Sequence, residues 1–308
     1  LRKIISYLNT YIKTQVSPVY FGIAVIITAA LTFLFYSDKS FVQAIGGGAN
    51  DSFRIVNNLA LYFGIMVTGF ALYIPFAKDK SPFLKFDFWL TVFAVTAIYA
   101  FSVFFYWHKD WIRQLVEGKE QIFWMRISRE IGAVFLIGVP VLLWWLLIDR
   151  MKIPFYGFVK SDVKPYLILL LCFAPVVYLA TFSPSFLKQY PQVNSALRVS
   201  GLQEVTATRV IIFELFYLLG FFITELFFRG FLLSVLFRKV GYAAVIPVAM
   251  FYVTIHFGKP LGETIGSFFG AIILGVIAIE TKSIWGGVIV HAGIALLMEA
   301  VAAGGGVG

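Results

Sequence analysis

Histidine, cysteine and charge are all scarce in this chain. There is one cysteine, Cys172, in an apolar run. That excludes an intrachain disulfide framework and a thiolate metal cluster. Charged residues make up 13%, where a soluble domain carries roughly 25%. An ordinary soluble domain is therefore excluded. What fills the space is apolar: the chain is 60% hydrophobic and 18% aromatic, with mean hydropathy +0.88. Its 308 residues leave room for about eight or nine transmembrane helices of ~20 residues. The composition predicts an all-α, polytopic membrane helix bundle. Acidic residues are outnumbered 16 to 25, which gives a net charge of +9. The basic residues sit mostly in short loops between apolar runs, as in membrane proteins facing anionic lipid. The partner they imply is the lipid bilayer, not nucleic acid.

Nine spans are expected, at about 18–36, 55–77, 88–107, 131–148, 165–182, 209–228, 241–257, 265–279 and 284–303. The first is too long for a signal peptide and lacks a small-residue cleavage site. Residues 1–16 mix apolar Ile4, Ile5, Leu8 and Ile12 with Arg2, Lys3 and Lys13, which suits a short interfacial helix. Gly46, Gly47 and Gly48 read as a hinge or reentrant tip. The window 108–130 holds nine charged residues interleaved with Trp111, Ile112, Leu115, Ile122 and Phe123. It is expected to lie along the membrane surface, with His108 in solvent. The polar stretch 183–208 contains Pro184, Pro191 and Gly201 and is the best boundary. Three regions result: scaffold helices over 1–182, a connector over 183–208, and a four-helix bundle over 209–303. The distribution of basic residues places the N-terminus in the cytoplasm by a narrow margin.

The last bundle holds the polar residues that need explaining. Glu225 and Arg229 stand four apart near the end of an apolar run, so they project from one helical face. His256 and His291, two of only three histidines, also lie within apolar runs. A charge at such depth costs several kcal/mol unless it is paired or faces a polar cavity. One carboxylate and two imidazoles from three helices allow two chemistries. They can bind a divalent metal such as zinc with an open position for water. Alternatively, Glu225 deprotonates a water that the imidazoles hold, with no cofactor. The bland alternative is helix–helix adhesion through interhelical hydrogen bonds. Arg229 is expected to pair with Glu225. Glu214 lies eleven residues before Glu225, about 16 Å by helical rise, and reads with Glu299 as a second layer. Glu263 reads as a residue near the start of a helix.

These residues resemble a known family. Glu225, Arg229 and Gly230 come first. His256 follows in Phe251-Tyr252-Val253-Thr254-Ile255-His256-Phe257. Thr281-Lys282-Ser283-Ile284-Trp285 then leads to His291-Ala292. Together they are similar to the CPBP family of CAAX proteases and bacteriocin-processing proteins, also called abortive-infection proteins. The likeness covers about residues 210–300, with Gly275 near the expected helix-packing glycine. It implies an all-helical membrane fold and an intramembrane endopeptidase using glutamate and histidine. Two positions depart from the family pattern. Thr224 stands where the first glutamate of a Glu-Glu-xxx-Arg motif belongs, and Ala295 stands where an asparagine follows the last histidine.

Two functions therefore compete. One is an intramembrane endopeptidase in which Glu225 activates water and His256, His291 and Arg229 complete the site. Its partners would be a peptide or membrane-protein substrate. The other is a catalytically inactive relative acting as a scaffold, an immunity factor or a subunit of a membrane complex. Either would sit in a bacterial inner membrane. A transporter reading needs paired broken helices in matching halves, which the sequence lacks.

Overall fold

The computed structural model describes residues 1–46, 51–104, 107–193 and 206–304. All regular elements among them are helical. In chain order they are α1 Arg2–Gln15, α2 Pro18–Ser37, α3 Lys39–Gly46, α4 Asp51–Tyr73, α5 Phe86–Phe104, α6 Trp107–Leu115 and α7 Gln121–Leu147. Then follow α8 Lys164–Ala180, α9 Pro184–Gln189, α10 Ala207–Glu225, α11 Leu233–Val240, α12 Val245–Thr254, α13 Leu261–Thr281 and α14 Trp285–Gly304. Local chemistry sets several ends. Ser17 caps α2 by accepting the N–H of Tyr20, with Pro18 in the first turn. Thr206 caps α10 in the same way through Arg209. Lys282 closes α13 in the left-handed region.

Seven helical stretches are long and apolar enough to cross a membrane, and α8 is a shorter apolar helix. This bears out the helical membrane bundle but redraws its parts. The expected span at 241–257 is α12, only ten residues long and so about 15 Å. Every residue of it is buried. It is therefore an internal helix that does not cross on its own. The chain reaches it by reversing at Gly241, whose φ of 60° favours glycine. Phe228 then packs on Phe251 and Tyr252 from the returning arm. Between α10 and α11 lies a π-helical segment, Leu226–Leu232, buried at all seven positions. Such widened turns cluster at functional sites.

In the window 108–130 the expected solvent exposure of His108 is corrected. The window divides between α6 and the first turns of α7, which spans 27 residues or about 40 Å. That exceeds the ~30 Å hydrocarbon thickness, which leaves length for its charged first turns outside the hydrocarbon. His108 is 6% exposed, not solvated, and its Nδ1 lies 2.8 Å from Ser128 Oγ on α7. Gly47, Gly48 and residues 194–205 of the expected connector lie outside the described residues.

One buried core joins the two halves of the chain. Tyr20, Phe70, Phe88 and Val95 belong to it together with Phe228, Phe231, Phe251 and Val276. Phe251 touches Tyr62, Tyr99 and Phe228. A Cβ added at Gly275 would meet Leu233 and Val245 only at ordinary van der Waals distance, so the packing there does not demand a glycine. Replacing a buried phenylalanine by alanine costs about 3–5 kcal/mol. Phe251→Ala is expected to lower the unfolding midpoint in detergent well below that of Phe33→Ala, where the side chain is exposed. Equal midpoints would contradict this core.

Candidate active site

Glu225 ends α10 and its side chain is 0% exposed. Its Oε1 accepts a hydrogen bond from His291 Nδ1 on α14 at 2.9 Å. The same oxygen lies 3.1 Å from Arg229 Nη1, so the expected pair forms. The guanidinium also lies 4.1 Å from the centroid of the Tyr252 ring, a favourable cation–π position. Oε2 points at Gly287, where a Cβ would come within 2.1 Å. Only a residue without a side chain leaves room for the carboxylate there.

His256 follows α12, and its Nδ1 lies 3.0 Å from the Tyr252 carbonyl. A carbonyl only accepts, so Nδ1 carries the proton and Nε2 is left as an acceptor. His291 is held likewise, with Nδ1 donating to a carboxylate. The two rings lie 6.4 Å apart, within 27° of parallel. Tyr252 Oη stands 3.2 Å and 3.4 Å from the two nitrogens of His291, and Phe221 covers its other side at 4.5 Å.

Thr224, Tyr252, His256 and His291 line a cavity of about 570 Å³. Glu225 and Arg229 are not in that lining; the carboxylate sits behind His291. Thr224 spends its hydroxyl on the Gly220 carbonyl at 2.8 Å and is no proton acceptor. Ala295 is buried and offers no polar group. At the α13 end of the cavity, Tyr190 donates to Glu263 at 2.8 Å and Lys259 approaches both. Burial, then the charge of Glu263, pushes the Tyr190 phenol far above its ordinary range, so it stays a neutral donor. Glu299 accepts the N–H groups of Gln192 and Val193, while Glu214 Oε2 on α10 is buried without a hydrogen-bond partner. Glu299 thus ties α14 to the segment after α9, outside the histidine site.

Sequence reasoning did not single out Tyr252, Gly287 or Glu130. Tyr252 was visible as the residue one helical turn before His256. Gly287 and Glu130 are neighbours only in space.

The metal reading finds no support in the donor geometry. Among the described residues, no three His, Cys, Asp or Glu are placed to hold one ion. The Glu225 oxygen that meets His291 already faces a guanidinium cation, which opposes a second cation there.

A family model described as Rce1-like, type II CAAX prenyl endopeptidase, matches residues 206–297. That segment contains Glu225, Arg229, His256 and His291, and it bears out the CPBP resemblance. The match covers under a third of the chain, and over that segment the chain is similar, at family level, to CAAX-protease-like intramembrane endopeptidases. No curated protein and no solved structure matches the chain.

The space at Gly287 gives a direct test. Gly287→Ala would force its new methyl into Glu225, and such overpacking costs typically about 1–3 kcal/mol. Gly304→Ala meets nothing within 4 Å. The first variant should unfold at a lower temperature in detergent than the second, and equal midpoints would refute the close approach.

Proposed function

We propose that this protein hydrolyses a peptide bond of a membrane-embedded or lipid-modified substrate, using a water held between His256 and His291. The observation that supports this best is the pair of imidazoles whose Nδ1 atoms are both engaged. His256 is held by the Tyr252 carbonyl and His291 by Glu225. With Nδ1 engaged, each ring keeps Nε2 as its acceptor, and both histidines line one cavity. A water there donates to an imidazole and keeps a lone pair for the carbonyl carbon.

Glu225 works through His291. Its carboxylate fixes the ring and stabilises the imidazolium formed when Nε2 takes the water's proton, the logic of an acid–histidine pair. Arg229 balances Glu225 and is itself held by Tyr252. The water attacks, the C–N bond breaks, and His291 returns the proton to the leaving nitrogen. The bilayer, a peptide or membrane-protein substrate and a bacterial inner membrane complete the proposal.

Loss of a general base lowers rates typically by about 10²–10⁴-fold. Glu225→Gln, His256→Ala and His291→Ala should each fall in that range on a quenched-fluorescent peptide with a farnesylated CAAX tail. The double histidine variant should lose little more, because both rings serve one water. Full activity of Glu225→Gln at matched expression would leave the inactive-relative reading ahead.

A further inference from the structure

We infer that Glu130, on α7, is a second catalytic carboxylate of this site, standing in for the glutamate that Thr224 replaces. The inference rests on the proposed hydrolysis. Glu225 is sealed behind His291, so the carboxylate motif of α10 presents no oxygen to the cavity. Glu130 does. It lines the same cavity as Thr224, His256 and His291 and is 15% exposed.

Its position is specific. Oε2 of Glu130 lies against α10 at Gly220, where a Cβ would stand 2.3 Å away. Gly220 is one helical turn before Thr224, and the Thr224 hydroxyl bonds its carbonyl. Long helical side chains lean toward the N-terminus and cover the turn before their own Cα. A glutamate at position 224 would therefore lay its carboxylate over Gly220, where Glu130 Oε2 already sits. Gly220 gives the room, and the short Thr224 leaves it unclaimed. The other oxygen, Oε1, takes both contacts from Arg129, at 2.9 Å and 2.5 Å. This anchors the carboxylate through Oε1 and leaves Oε2 beside Gly220, which lines the same cavity. Glu263 also lines the cavity, but Tyr190 and Lys259 take its two oxygens.

The role follows from the proton balance. Water brings two protons to the reaction. One passes through His291 to the leaving nitrogen. The second is accepted by Glu130 Oε2 as the new C–O bond becomes a carboxylate, and it is released when that product leaves. Before attack, the same oxygen accepts a hydrogen bond from the water and aims its lone pair.

The test uses the full-length protein in detergent with the farnesylated quenched-fluorescent peptide. Glu130→Gln keeps the shape and should lower kcat/KM by about 10²-fold or more. Thr224→Glu in the wild-type background places two carboxylates in one space, which like-charge repulsion opposes, and should lower the unfolding temperature. The double variant Glu130→Ala with Thr224→Glu empties that space, so it should relieve that destabilisation and recover most of the rate that Glu130→Ala loses. A purely structural role for Glu130 gives no such rescue. Undiminished activity of Glu130→Gln, with His256→Ala inactive, would overturn this inference and leave the proposed function standing. An inactive Glu130→Ala that Thr224→Glu does not rescue would also overturn it. A wild-type protein inert on the peptide would overturn both.

Discussion

A carboxylate sealed from water at the end of a membrane helix governs much of the architecture around it. Removing an ionised group from water costs several kcal/mol even after relaxation, and removing one partner of a buried pair costs about 3–5 kcal/mol. Glu225 is therefore tolerated only with Arg229 and His291 both at hand. Each of these makes its own demand. Arg229 needs the Tyr252 ring, which fixes α12 against the π-helical segment. His291 needs α14 at a set height, and Gly287, one turn earlier on that helix, must have no side chain. A functional group and a packing solution are here the same set of contacts.

The site has a closed side and an open side. Glu225 and Arg229 form the closed side, where low polarity strengthens their attraction. The histidine faces, Thr224 and Glu130 form the open side, where water and a peptide have room. In the proposed reaction this division separates the group that sets the state of His291 from the groups that meet the reacting atoms. The first half of the chain also contributes to the cavity wall. Tyr99 of α5 and Arg129 and Glu130 of α7 line the cavity beside residues of the matched segment 206–297.

The two departures from the family motif take on physical meaning in this setting. Thr224 bonds back to its own helix, as hydroxyl residues do within apolar helices. It thus leaves empty space beside Gly220 in place of a carboxylate. Ala295 is a plain packing residue. Tyr252, with its hydroxyl 3.2 Å and 3.4 Å from the His291 nitrogens, supplies a polar neighbour that the motif alone does not contain.

Composition and hydropathy by themselves determined the helical membrane class, because twenty-residue apolar runs with so little charge have no other stable use. Spacing determined the Glu225–Arg229 pair, since residues four apart share a helical face. It also marked His256 and His291, because polar groups in apolar runs need a reason to be there. The hydropathy pattern read α12 as a span, because a buried core helix and a membrane helix are equally apolar. It placed His108 in solvent, because charge density does not reveal that His108 has Ser128 as a partner. Only the tertiary structure decided which carboxylate faces the cavity. Glu130 and Gly220 lie ninety residues apart in the sequence, and no local period links them. Their meeting depends on how α7 packs against α10, a non-local contact that no window of sequence contains.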